Sequence, residues 1–181
     1  MLKIIDNLIS NSYSQHLFDQ MVQLPWTFVP NLSLGASDHY RYAGFSHNFW
    51  LSDGPPLNPV ATKQIKSEHY NLVVPLLLTA LDRFGLDAGI NNIFRCRARL
   101  TLNRETSRQE QLHRDFEFDH LVLLYYVNST DGDTVIHLPD GSIESVTPRR
   151  GRCVLFDGNL LHASSSSTVS PRIVLNTNLV I

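Results

Sequence analysis

The stretch FRCRARLTLN, residues 94–103, alternates apolar and polar side chains with the period of two that is typical of a β-strand. Its apolar face can pack on a preceding helix, and its other face carries Arg95, Arg97 and Arg99. Five further strand candidates follow, at His113–Asp115, Leu121–Val127, Thr134–Leu138, Arg152–Phe156 and Arg172–Ile181. Asp-Gly pairs at residues 131, 140 and 157 mark turns. Helices followed by many short antiparallel strands predict a mainly β, α+β chain with a jelly-roll core.

The first ninety residues predict the supporting elements. Leu17 and Met21 share one face of a helix predicted over 14–22, and a longer helix is expected from about Lys63 to Phe84. Pro75 would start, kink or split that longer helix, because proline lacks a backbone donor. Strand candidates and a Gly/Pro-rich loop complete this half, at Trp26–Val29, Phe45–Leu51 and Ser52–Pro59.

Composition limits the possible functions. With 181 residues, 43% of them hydrophobic, we expect one domain, with residues 1–90 as helical support and outer strands and 91–181 as the functional strands. A net charge of −2 shows no general footprint for nucleic acid or an anionic membrane. Two cysteines are too few for a disulfide framework, and no signal peptide or membrane span is evident. We therefore expect a cytoplasmic protein without a membrane or nucleic-acid partner.

Three residues form a candidate metal site. His113 and Asp115 would share one face of a strand, and His162 comes from a later strand that a jelly roll can bring alongside. Two histidines and one carboxylate are the facial triad that holds non-haem Fe(II) with open coordination positions. A His-x-Asp motif alone has low specificity, since these residues also occur as surface pairs. Arg172, ten residues after His162, could grip the carboxylate of a chelating co-substrate through its guanidinium fork.

Three segments of the second half of the chain are similar to a known family: LLYYVNSTDGDTVIHLPDG (123–141), TPRRGRCVLFDGNLLHAS (147–164) and PRIVLNTNLV (171–180). Through them the chain resembles Fe(II)/2-oxoglutarate-dependent dioxygenases of the prolyl-hydroxylase type. IIDNLIS (4–10) is similar to the start of that domain. Small phage-encoded oxygenases are the most similar group, through RCRARLTLNR and RIVLNTNL, so the cytoplasm would be that of the host cell if a phage encodes the chain. The resemblance covers residues 92–181 well and the first ninety loosely, and it implies a double-stranded β-helix.

The resemblance implies roles for individual residues. His113, Asp115 and His162 match the iron ligands and would be catalytic, and Arg172 matches the anchor of the distal carboxylate of 2-oxoglutarate. Tyr126 matches a tyrosine whose hydroxyl joins that anchor, although it could instead be a half-buried strand residue. The chain departs from the family at Asp133, where many relatives have a second glycine, and at two residues that follow Arg172 where an aromatic residue is expected, Asn176 and Asn178.

The implied cofactors are Fe(II) and 2-oxoglutarate, with ascorbate as an optional addition. The implied reaction consumes molecular oxygen and 2-oxoglutarate, releases succinate and hydroxylates a substrate, with peptidyl proline or another protein side chain as the first candidate. Halogenating relatives lack the carboxylate that Asp115 supplies, so its presence points to hydroxylation. Three alternatives stay open: an oxygenase for a free small molecule, a nucleic-acid demethylase, and a jelly roll that binds metal without catalysis.

Several other polar residues have two interpretations. Five arginines within fourteen residues could form a solvated strand face and charged loop, or could grip an acidic substrate or co-substrate; they are Arg95, Arg97, Arg99, Arg104 and Arg108. Thr101 and Asn103 are weak candidates for the keto-acid end of 2-oxoglutarate, and Asn176 shares a strand face with Arg172. His120 and His137 are expected to be packing or surface residues, whereas Glu117 and Asp119 could support the metal site or be loop charges.

Overall fold

The computed structural model describes residues 1–32, 42–52 and 63–180. The strands there are β1 (Leu2–Ile5), β2 (Thr27–Val29), β3 (Gly44–Ser52), β4 (Lys63–Ile65), β5 (Ile93–Thr101), β6 (Leu121–Tyr126), β7 (Thr134–His137), β8 (Ile143–Val146), β9 (Cys153–Asp157), β10 (His162–Ser164) and β11 (Arg172–Leu179). The α-helices are α1 (Asn11–Met21) and α2 (Val74–Phe84), and two 3-10 segments lie at Glu68–Leu72 and Ile90–Asn92.

Within the described residues the strands form two antiparallel sheets. The larger sheet has the order β1-β9-β6-β11-β5-β3-β2, with β4 on β3, and the smaller has the order β10-β7-β8. Strand β11 lies centrally because it pairs with β6 on one side and β5 on the other. The predicted mainly β architecture with a jelly-roll core is confirmed.

The larger sheet has a different apolar partner on each face. Side chains such as Cys96, Ala98 and Leu175 pack with α1 and α2 in one buried cluster. On the opposite face, Val174 and Phe156 pack with Ile136 of the smaller sheet in a second cluster. Because side chains alternate along a strand, β5 and β11 direct one set of residues to the helices and the other between the sheets. The second set builds the site described below.

The long helix predicted over 63–84 is wrong in its first half. Lys63–Ile65 pairs with β3, and Ser67 caps a 3-10 segment by accepting a hydrogen bond from the His69 amide. Pro75 lies in the first turn of α2, where a missing amide hydrogen costs little. The helix ends as expected at Gly85, which has a left-handed φ of 67°.

Other boundaries also differ from the sequence prediction. Strands β1 and β8 were not predicted, and His113–Asp115 is not a strand, since only His113 forms a bridge, to His162. The predicted loop Ser52–Pro59 lies outside the described residues apart from Ser52, which ends β3. Among the described residues, no helix is both long and apolar enough to cross a bilayer.

Candidate metal and co-substrate site

The structure brings His113, Asp115 and His162 together between the two sheets. One ligand atom of each lies within 4.8 Å of the others, and the backbones of His113 and His162 pair reciprocally at 3.0 Å. This antiparallel bridge sets the two imidazole rings side by side, with centroids 4.7 Å apart. The sequence expectation that the three residues share a site therefore has a matching geometry, although His113 and Asp115 reach it from an irregular segment.

Both histidines present the same ring nitrogen to the site. Nδ1 of His113 lies 3.0 Å from the Gln111 carbonyl, and Nδ1 of His162 lies 3.0 Å from the Leu160 carbonyl. A carbonyl only accepts, so each Nδ1 carries the proton and each Nε2 keeps its lone pair for a metal ion. Burial lowers the pKa of His162 to about 4, which keeps its imidazole neutral as a metal ligand requires.

Four side chains surround the Asp115 carboxylate. Nη2 of Arg95 lies 2.7 Å and Nη2 of Arg97 lies 3.5 Å from Oδ1. Asn176 and Asn178 donate to Oδ2 at 3.1 and 2.9 Å. Burial alone would raise the pKa of this carboxyl, but the two guanidinium groups outweigh it and hold the pKa well below its usual value. Asp115 is therefore an oriented carboxylate anion, the form that ligates a cation.

Asn176 and Asn178, which depart from the family pattern, thus orient the Asp115 carboxylate. Asn178 also accepts a hydrogen bond of 2.9 Å from Nε of Arg95, so it links the carboxylate to the arginine that pairs with it. Sequence reasoning missed Arg95 and Asn178 as partners of Asp115. Their shared register, Asn178 opposite Arg95, follows from the pairing of β11 with β5, which no local sequence pattern reports.

Arg172 lies in the same cleft, 3% exposed. Its Nη2 donates to the Thr134 hydroxyl at 2.7 Å, and the Tyr126 hydroxyl donates to that same oxygen at 2.8 Å. Thr134 Oγ1 accepts both bonds, so its own hydrogen remains free to donate into the cleft. Tyr126 therefore holds the Thr134 hydroxyl in place and does not itself line the cleft. Thr134 is the functional candidate that sequence reasoning missed. Its signal was available in TDGDT (130–134), which lies in the first segment that resembles the prolyl hydroxylases.

The cleft between the sheets connects the candidate metal site with Arg172. Its lining residues are Arg99, Glu110, His113, Leu124, Thr134, His162, Ala163, Ser164, Arg172, Val174 and Asn176. Thr101 lines a neighbouring depression instead, and Asn103 is exposed beyond the end of β5. Of the three weaker candidates for binding the co-substrate, Asn176 therefore lines the cleft, whereas Thr101 and Asn103 do not.

The structure rules out one of the two interpretations of the β5 arginines. Arg95, Arg97 and Arg99 point between the sheets and are largely buried, so the solvated strand face is wrong. The loop after β5 is tied to the chain beyond β10, because Glu110 donates to Ser164 and Ser166 donates to Arg108 through backbone bonds of 2.8 and 2.9 Å. Glu110, at the end of this segment, lines the cleft, and Arg104 and Arg108 line the neighbouring depression.

The remaining polar candidates lie outside the cleft. His120 is buried against Phe116 and Phe118, in agreement with a packing role. His137 lies on β7, is partly buried and does not line the cleft. Glu117 and Asp119 are exposed, and Asp119 accepts a hydrogen bond from Asn159. Asp133, the departure from the family pattern in the turn before β7, accepts a hydrogen bond from the Ser145 hydroxyl at 2.6 Å and does not line the cleft.

Comparisons with known proteins support the fold. Neither a protein-family model nor a curated protein matches this sequence. A 2OG-Fe(II) oxygenase family oxidoreductase from Burkholderia pseudomallei matches with a TM-score of 0.75 and 14% identity, over 98% of this chain and 84% of that chain.

Two further solved structures show the same likeness. A Trichoplax adhaerens prolyl hydroxylase in complex with a hypoxia-inducible-factor peptide fragment has a TM-score of 0.66 and 14% identity, over 98% of this chain and 82% of that one. SnoN, a non-haem alpha-ketoglutarate-dependent epimerase from nogalamycin biosynthesis, has a TM-score of 0.63 and 14% identity, over 99% and 77%. At these identities the likeness establishes a shared fold, the double-stranded β-helix of 2-oxoglutarate-Fe(II) oxygenases.

Proposed function

We propose that this chain is an Fe(II)- and 2-oxoglutarate-dependent oxygenase that hydroxylates a substrate. The observation that carries the proposal is the approach of His113, Asp115 and His162 to within 4.8 Å, inside a cleft that also contains a buried arginine. Two neutral imidazoles and one carboxylate suit Fe(II), since this mixed nitrogen and oxygen set leaves positions open for other ligands. The fold shared with oxygenases of this type supports the same conclusion.

The residues of the chain fit the proposed cofactors. His113 and His162 would hold iron through Nε2 and Asp115 through its carboxylate, with Asn176 and Asn178 fixing the carboxylate orientation. Arg172 and the Thr134 hydroxyl would bind the distal carboxylate of 2-oxoglutarate. Bound iron with 2-oxoglutarate would supply the oxidising chemistry, while the protein positions the reactants and excludes water. Ascorbate would serve only as an auxiliary reductant.

The first substrate class that we propose is a protein or peptide side chain such as proline. Its support is the resemblance of residues 123–180 to prolyl hydroxylases and the peptide bound by the Trichoplax structure. A free small molecule is the second class that we propose. The buried arginines of β5 favour it, because they would bind an anionic group of a molecule that enters the cleft. The net charge of −2 gives no support to a nucleic-acid substrate.

Conversion of 2-oxoglutarate to succinate tests the proposed function directly. Purified protein loaded with Fe(II) should release succinate from 2-oxoglutarate in the presence of oxygen, even without a prime substrate, at a slow uncoupled rate. His162→Ala should remove this activity, whereas His137→Ala, outside the cleft, should retain it. Absence of iron-dependent succinate from folded parent protein that binds iron and 2-oxoglutarate would leave the chain as a metal-binding module without catalysis.

A further inference from the structure

The region between the two sheets that surrounds the cleft carries more positive than negative charge. Arg95, Arg97 and Arg99 follow one another at alternate positions of β5, spaced by about 7 Å, and face Asn178, Asn176 and Val174 of β11. Arg172 adds a fourth guanidinium at the level of Thr101. The carboxylates beside them in the described part of the chain are those of Asp115 and Glu110. In that described part, four guanidiniums and two carboxylates leave an excess of two positive charges.

The proposed cofactors do not remove this excess. Fe(II) brings two positive charges and 2-oxoglutarate brings two negative charges, so the pair is neutral and both histidine ligands stay uncharged. Burying uncompensated charge is costly, because the low-dielectric interior withdraws the water that would solvate it. A cleft that keeps this excess is therefore adapted to a further anion.

Arg99 is the guanidinium positioned to receive that anion. Its charged neighbours from the packed elements are Asp115 and Glu110, which attract it, and Arg95, Arg97 and Arg172, which repel it. One amino group, Nη1, donates to the Leu32 carbonyl at 2.7 Å. Its Nε is buried and has no hydrogen-bond partner within residues 1–32, 42–52 and 63–180, although the side chain lines the cleft. A buried donor without a partner is destabilising, and a bound acceptor would remove that cost.

Arg97, two residues before Arg99 on the same face of β5, shows the same feature. Its Nε is also buried and has no hydrogen-bond partner among the described residues, and its contact with Asp115 is long, at 3.5 Å. The anion that relieves Arg99 would therefore stabilise Arg97 as well.

We propose that the cleft recognises an acidic substrate, whose carboxylate or phosphate group binds Arg99 with Arg97 in support. This inference rests on the proposed function and narrows its substrate class, since a neutral substrate would leave both guanidiniums uncompensated. Arg99 is a specificity-determining residue in this arrangement, separate from the co-substrate anchor at Arg172. Two register pairs, Arg99 with Val174 and Thr101 with Arg172, define the two levels of the cleft.

Anion binding to the loaded protein tests this proposal without turnover. Under anaerobic conditions, parent protein saturated with Fe(II) and 2-oxoglutarate is titrated by calorimetry with inorganic phosphate and, separately, with acetate, at constant ionic strength. We expect saturable binding of at least one of these probes, weakened tenfold or more in Arg99→Gln and restored in part by Arg99→Lys. The matched control is Arg149→Gln, which removes an exposed arginine outside the cleft. The better probe identifies the acidic group as phosphate or carboxylate.

Each other outcome overturns the proposal. If the parent protein binds neither phosphate nor acetate, Arg99 forms no anion site beside the 2-oxoglutarate position. This result does not depend on whether the variants fold. Probes that compete with 2-oxoglutarate would assign Arg99 to the co-substrate, and equal weakening in Arg149→Gln would indicate surface binding. The succinate assay separates this inference from the proposed function: normal succinate release without anion binding overturns the acidic substrate alone, and loss of succinate release overturns the oxygenase.

Discussion

Replacing Arg172 by alanine gives the sharpest perturbation of the candidate co-substrate position. Arg172 is 3% exposed, its guanidinium donates to Thr134, and its buried Nε has no hydrogen-bond partner among the described residues. A desolvated arginine that meets a carboxylate in this setting should lose about 2–5 kcal/mol of binding when truncated. At about 1.4 kcal/mol per tenfold change, the lower limit corresponds to a roughly 30-fold higher requirement for 2-oxoglutarate.

The assay is uncoupled succinate release as a function of 2-oxoglutarate concentration, with iron affinity measured by calorimetry on the same preparations. Arg172→Ala should raise the half-saturating concentration by about 30-fold or more and leave iron affinity nearly unchanged. Arg172→Lys should fall between, because it keeps the charge but loses the planar fork. Arg149→Ala is the control. An Arg172→Ala protein that folds, binds iron and uses 2-oxoglutarate at parental concentrations would refute the assignment.

Four further predictions follow from specific contacts. Thr134→Val and Tyr126→Phe should each raise the 2-oxoglutarate requirement by about 2- to 10-fold, the effect of one neutral hydrogen bond; a larger effect for Tyr126→Phe in the succinate assay would argue against its position behind Thr134. Asp115→Ala should abolish hydroxylation and weaken iron binding, and calorimetry showing parental iron affinity would contradict its role as a ligand. Asp115→Asn should lower the thermal midpoint of metal-free protein, because breaking a buried ion pair costs about 3–5 kcal/mol; an unchanged midpoint would contradict the pairing with Arg95 and Arg97. Gly132→Ala should cost about 1–3 kcal/mol in denaturant unfolding, since its Cβ would lie 2.6 Å from the Ser165 carbonyl, whereas Gly89→Ala has open space and should be tolerated.

The strongest sequence signals were those that depend on local chemistry. The period of two from residue 94 located β5, and Gly85 located the end of α2. His113, Asp115 and His162 could be proposed as a set because their residue types and order resemble a known family. The structure then places them together, by a bridge between His113 and His162 that spans almost fifty residues.

What the sequence could not predict depends on contacts between distant segments. From the sequence, the polar face of β5 could equally well be exposed to solvent or line a cleft. It faces the cleft because β5 pairs with β11 and the smaller sheet covers this face. Thr134 was missed because its hydroxyl joins the site through hydrogen bonds from Arg172 and Tyr126, which lie on other strands. The 63–84 segment has a continuous helical pattern, yet pairing with β3 and the Ser67 cap override local propensity.

An anaerobic crystal structure with Fe(II) and 2-oxoglutarate tests the central claim most directly. We predict one iron ion on Nε2 of His113, Nε2 of His162 and the Asp115 carboxylate, with the keto-acid end of 2-oxoglutarate on the metal and its distal carboxylate on Arg172 and Thr134. Asn176 and Asn178 should keep their bonds to Asp115. A metal ion held by other residues, or a 2-oxoglutarate molecule bound away from Arg172, would contradict the account.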